Sequence, residues 1–166
     1  MNRKGSDEYV EPSVEESMAT TKALISYIEG LPRTASGEAL IRPIITPRFA
    51  ISCTDELLQE LGDYATTVPD IPIQTHIAEN PKEVEEVRKL FPSSSSYAGV
   101  YDDFNLLREN TILGHGVHLT DEELELIADR GAGIAHCPSS NFFLSSGMAK
   151  VGKMLDCGIK VRILRD

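Results

Sequence analysis

Apolar positions along this chain alternate between two spacings. Short β-branched runs follow one another at intervals, and between them apolar residues recur every three or four positions. A capping box at Ser13, Val14, Glu15 and Glu16 predicts a helix over 13–31, with Val14, Met18, Ala23, Leu24 and Ile28 as its apolar stripe. The apolar stretch after Leu40 predicts a buried strand over 40–46. Thr54 or Ser52 then opens a helix reaching about Tyr64, with Leu57, Leu58 and Leu61 on one face. A strand over 71–77 stops at His76. Asn80, Pro81 and Glu83 supply an N-cap, an N1 proline and an N3 glutamate for a helix to Phe91.

The second half repeats the rhythm. The serines at 93–96 read as a loop, and 102–108 as a short helix. A strand over 110–117 reaches His115 between two glycines. A capping box at Thr120 and Glu123 opens a helix to Arg130, which Gly131 terminates. The strand after Gly133 ends at His136, residues 142–156 read as one helix, and 159–164 alternate as a last strand. Helical crossovers imply parallel strands, so the fold class is α/β, either a doubly wound sheet or a (β/α)8 barrel. In both, functional groups gather where strands end. Arg48, His76, His115 and His136 all stand at such ends, which favours a barrel mouth fed by many strands. About five strands are offered where a barrel needs eight, so the expectation is a partial TIM-type barrel over 13–166, incomplete at both ends. Residues 1–12 are expected to be a flexible N-terminal segment.

Composition narrows the function. A net charge of −10 argues against nucleic acid or an anionic membrane surface as a partner. No basic-plus-apolar leader and no apolar run of membrane length occur. Cys53, Cys137 and Cys157 form no C-x-x-C pair, which fits a reducing compartment and makes the cytoplasm the expected location. The chemistry centres on residues 71–79, where His76 leaves the strand and Glu79 follows three positions later. This places a metal ligand and a proton carrier in one pocket. The alternative is a buried histidine satisfied by a backbone carbonyl. His118 reads as structural, and Cys137 has no neighbour to activate it as a nucleophile. Elbow, P-loop and dinucleotide motifs are absent.

Four stretches together carry a resemblance: Thr-Pro-Arg-Phe at 46–49, Gln-Thr-His-Ile-Ala-Glu-Asn at 74–80, Gly-His-Gly at 114–116, and Ala-His-Cys-Pro-Ser-Ser-Asn at 135–141. The chain resembles the guanine deaminase branch of the metal-dependent amidohydrolases from about residue 8 to about residue 161. The resemblance implies hydrolysis of guanine to xanthine and ammonia with Zn2+, in a homodimeric enzyme of purine catabolism. It implies His76, His115 and Asp166 at the metal, with His115 also steering the attacking water. Glu79 would shuttle the proton, and His76 and Glu79 would border the substrate. Arg48 would bond the purine's polar edge and Phe49 would lie against its face. His136 and Asn141 would be supporting residues. Two departures stand out. The family's H-x-H ligand pair is missing, and Asp166 lacks the glycines that precede the family's final ligand. This stretch alone is therefore expected to be inactive. Another aminohydrolase acting on cytosine or triazines, or a non-catalytic interaction module, are the alternatives.

Overall fold

The computed structural model describes residues 1–3 and 9–163. Its centre is a four-stranded sheet with β1 at Ile73–Ile77, β2 at Thr111–His115, β3 at Gly133–His136 and β4 at Lys160–Ile163. The order is β1-β2-β3-β4 and every pair is parallel. Strands that follow chain order without reversal form a wedge of a barrel. A doubly wound sheet would reverse direction at a switch point.

Helices α1 (Val14–Glu29), α2 (Asp55–Thr67), α3 (Pro81–Leu90), α4 (Tyr97–Asp103) and α5 (Asp121–Asp129) are followed by the short α6 (Pro138–Phe143) and α7 (Val151–Asp156). Polar caps start most of them. Ser13, Thr54, Asn80, Ser96 and Thr120 each accept a backbone N–H from the first turn, and Thr120 with Glu123 completes the capping box. In α2, Leu57, Leu58 and Leu61 are fully buried. Each contributes about 1.5–3 kcal/mol relative to exposure. In β1 and β2, Ile73, Thr75, Ile77, Thr111 and Leu113 are buried, whereas Gln74 and Ile112 on the opposite face are exposed. That second face borders an open cleft of about 870 Å3.

Four local expectations are corrected. The stretch 40–46 is not a strand. Leu40 and Ile41 are exposed, and only Ile45 bridges β1, opposite Ile73. Pro43 and Pro47 have no N–H to give a ladder. The segment still lies along β1, because Ile45 N–H donates to Pro72 O, Gln74 N–H to Ile45 O and His76 N–H to Arg48 O. The helix expected at 102–108 lies instead at Tyr97–Asp103: Ser96 caps its start and it has ended by Phe104. The helix expected over 142–156 is two helices, broken where Ser145 (φ 55) and Gly147 (φ 120) take left-handed backbone. In α1 the buried face runs through Val14, Met18 and Ile25, while Leu24 is exposed.

Candidate active site at the strand ends

His76 sits near the end of β1 on the sheet's open face, level with Gly114 of β2. Gly114 has no side chain, so the position level with the imidazole on β2 is left open. A Cβ there would meet the His76 ring at 3.8 Å. The ring's Nδ1 lies 2.6 Å from Arg48 O. A carbonyl can only accept, so Nδ1 carries the proton and Nε2 keeps its lone pair. Sequence reasoning offered a carbonyl-satisfied histidine and a metal ligand as alternatives. The two are compatible, because ligating histidines commonly anchor their other nitrogen in this way.

His115 reaches the same place by a different route. In register it stands opposite Ile77, so simple alternation would send its side chain to the helix-covered face. Its backbone is left-handed instead, at φ 72. The result is that its ring stacks on that of His76, with centroids 5.2 Å apart and planes 26° apart. A non-glycine residue in this region costs of order 1–3 kcal/mol and persists only where its surroundings enforce it. Gly116 continues the turn at φ 62, and a Cβ there would meet Leu119 Cδ1 at 3.2 Å and Met154 Cε at 3.3 Å. Gly116→Ala is therefore expected to destabilise the protein by about 1–3 kcal/mol. Urea unfolding checks this, and an unchanged midpoint would show that the turn is not constrained.

Glu79 follows Ala78, whose φ of 47 turns the chain off the strand. Its Oε1 lies 3.7 Å from His115 Nδ1. Its backbone N–H donates to Glu83 Oε2 at 3.2 Å, while Tyr97 O–H donates to Glu83 Oε1 at 2.7 Å. Glu83 thus does more than occupy N3 of a helix. It ties the Glu79 turn to α3 and α4. Burial, partly offset by the Tyr97 bond and reinforced by the nearby Glu79 charge, raises the Glu83 pKa above its ordinary value of 4.5. A carboxyl with a raised folded pKa binds its proton more tightly folded than unfolded. Its stabilising contribution is complete below the unfolded pKa and is lost as pH rises through the folded one. The unfolding free energy of wild type minus that of Glu83→Gln is therefore expected to increase as pH falls from neutrality toward 4.5. Paired denaturant titrations at several pH values measure it, and a flat difference would contradict the assignment.

Arg48 and Phe49 lie beside the histidines. The guanidinium carbon is 5.3 Å from the Phe49 ring centroid, and that ring meets His76 edge-on at 6.4 Å. Tyr101, fully buried, fixes this corner. Its hydroxyl accepts from Ala50 N–H at 3.0 Å and Thr75 Oγ1–H at 2.9 Å, and donates to His76 O at 2.7 Å. No sequence signal marked Tyr101, because a buried tyrosine in a helix reads as packing. His115 Nδ1 also meets Asn141 Oδ1 at 2.8 Å. His118 Nε2 bonds Ser146 O at 2.7 Å. His136 ends β3 with Nδ1 buried and unbonded among the described residues. Burial pushes the Cys53 thiol up to about 11, which removes it as a nucleophile.

Asp166 lies outside the described residues, and among those described no cluster of three or more His, Cys, Asp or Glu side chains could hold a metal. The donor chemistry fits part of a metal site, since His76 offers a free Nε2 backed by a carbonyl. It does not make a complete one.

Comparison with known proteins decides the family. The sequence pattern of the amidohydrolase family matches residues 2–166. The chain belongs to the amidohydrolase family. This amidohydrolase chain is 49% identical, over its full length, to a probable guanine deaminase of Schizosaccharomyces pombe, and covers 31% of that protein. It is 45% identical over 96% of its length to human guanine deaminase, covering 34% of it. The guanine deaminase of C. acetobutylicum, solved with guanine in its active site, superposes with a TM-score of 0.90 at 35% identity. That match covers 98% of this chain and 37% of that one. A triazine hydrolase at 23% identity and TM-score 0.84 shares the fold. The chain thus spans about a third of the length of its curated relatives, and its four parallel strands with their helices match part of their barrel.

Proposed function

We propose that this amidohydrolase chain carries half of a guanine-deaminating site, in which water displaces the amino group of guanine to give xanthine and ammonia. The observation that carries the reading is the convergence of His76, His115, Glu79 and the Arg48–Phe49 pair at one rim. They come from three segments of the chain, and His76 and His115 also line the open cleft. Relatives named guanine deaminase, one of them solved with guanine, support the substrate.

His76, through its free Nε2, would hold Zn2+ together with Asp166, with His115 at the same centre. The remaining ligands would come from outside the described residues. A zinc ion there would lower the pKa of a water to about 7. Glu79 has the position for the proton work. Its carboxylate would take a proton from the attacking water and deliver it to a ring nitrogen, then pass the hydroxyl proton of the adduct to the amino group, which leaves as ammonia as the C–N bond breaks and the new carbonyl forms. Arg48 is exposed and charged, suited to the polar edge of a purine, and Phe49 offers a face for stacking. Cys53 and Cys157, which form no disulfide among the described residues, support a reducing, cytoplasmic setting. A homodimer is part of the same reading, and sedimentation velocity checks it.

Protein purified from its native host, with zinc measured in parallel, tests the proposal. The expected result is ammonia and xanthine from guanine, with cytosine and triazines turned over far more slowly. Stoichiometric zinc with no ammonia from guanine, or a preference for cytosine or a triazine, would overturn it.

A further inference from the structure

Asn141 lies on α6, in a segment whose polar residues suggest an ordinary turn, yet it is among the most buried polar residues described, at 1% exposure. Its backbone is held at both ends: its N–H donates to Cys137 O at 2.9 Å, and its carbonyl accepts from Ser146 N–H at 2.8 Å. Its side chain makes one bond among the described residues, from Oδ1 to His115 Nδ1 at 2.8 Å, and its Nδ2 has no partner there. Leaving a buried amide donor unpaired costs about 1–3 kcal/mol. The amide is therefore not placed for its own stability.

We propose that Asn141 is the positioning residue that holds His115 as its Nδ1–H tautomer, leaving Nε2 as that imidazole's free lone pair. An amide oxygen accepts and cannot donate, so the nitrogen it bonds must carry the hydrogen. Glu79 Oε1, the charged group nearest the same nitrogen, is 3.7 Å away, beyond a normal hydrogen bond. Asn141 is neutral at every working pH, so it sets the tautomer without fixing the charge. His76 gets the same tautomer from the Arg48 carbonyl. The two stacked rings thus carry their hydrogens on matching nitrogens, each by a different device. The hydrogen bond stands on its own geometry. Its use, presenting Nε2 to a metal or a water, rests on the deaminase reading.

Long-range 1H–15N correlation spectra of the 166-residue chain, at a pH where the histidines are neutral, read the tautomers directly. Wild type is expected to show His115 with Nδ1 protonated and Nε2 unprotonated. Asn141→Leu, which keeps the volume and removes the acceptor, should shift His115 toward the Nε2–H form and leave His76 unchanged. Asn141→Asp keeps an acceptor in place and should retain Nδ1–H, which preserves a test if the leucine variant does not fold. An Nε2–H tautomer in wild type would overturn the proposal, since the amide would then be flipped. Retention of Nδ1–H in a folded Asn141→Leu would also overturn it, by assigning the hold to Glu79. None of these outcomes depends on guanine turnover, so a failure of the deaminase reading shows separately.

Discussion

Replacing Tyr101 with phenylalanine is expected to cost about 2–4 kcal/mol of folding stability. The substitution removes one oxygen and keeps the ring, so the buried volume is nearly unchanged. What is lost is the acceptor for Ala50 N–H and Thr75 Oγ1–H and the donor to His76 O. Each buried polar group left unpaired costs about 1–3 kcal/mol. Thr75 can turn to His76 O, now at 3.5 Å, and partly satisfy both groups, so the larger share falls on Ala50 N–H. Against a typical total of about 5–15 kcal/mol this is a large fraction. It should lower the thermal midpoint by on the order of 10 °C. The loss is also local to function. Ala50 follows Phe49 directly, and the His76 carbonyl belongs to the residue whose ring faces the cleft. On the proposed deaminase reading, Tyr101→Phe should therefore loosen guanine binding even at temperatures where the protein remains folded. Calorimetric unfolding gives the first quantity. A midpoint within about 1 °C of wild type would mean that water replaces the hydroxyl without penalty.

If the chain's site deaminates guanine as proposed, Glu79→Gln is expected to lower kcat by about 10²–10⁴-fold, the usual contribution of a positioned general acid–base group. Glutamine preserves shape and length but cannot take up a proton near neutral pH. The backbone hold on residue 79 is independent of its side chain, because it runs from its N–H to Glu83 Oε2. The turn should survive the change. Zinc content should stay close to wild type, since Glu79 is not among the proposed metal ligands, and KM should change far less than kcat. Steady-state kinetics on protein from the native host separates these quantities. A loss of less than about tenfold would move the proton work to another group.

The elements were legible where local chemistry decides them. Ser13, Thr54, Asn80 and Thr120 start helices as side-chain caps must, and β-branched runs at 71–77, 110–117 and 159–164 contain the observed strands. Errors arose where a decision belongs to tertiary structure or to backbone strain. The 40–46 run looks like a strand by composition, but Pro43 within it and Pro47 just after it cannot donate to a ladder, and only Ile45 enters a bridge. The break in the expected 142–156 helix depends on left-handed backbone at Ser145, which nothing in a serine announces.

The candidate site shows the same division. Strand-end positions put Arg48, His76, His115 and His136 together in sequence terms, because parallel strands deliver their ends to one rim; Arg48 follows no strand in the structure and is brought to β1 by the Ile45 bridge and its own carbonyl. The alternation rule applied alone would have turned His115 away, and its φ of 72 is what brings it back. The residues that hold the site were harder to see. Glu83 reads as a helix cap and Tyr101 as core. Asn141 reads as a turn residue and was expected only to lend support. Their roles come from partners 4, 25 or 26 positions away, which no local pattern encodes.

Through-space contacts between aromatic ring protons test the central claim most directly. In the folded chain, nuclear Overhauser cross-peaks are expected between the rings of His76 and His115, whose centroids are 5.2 Å apart, with weaker ones from His76 to Phe49. A folded chain in which β1 and β2 pair normally but the two imidazoles share no cross-peak would contradict the account, because the rim would then hold no common site.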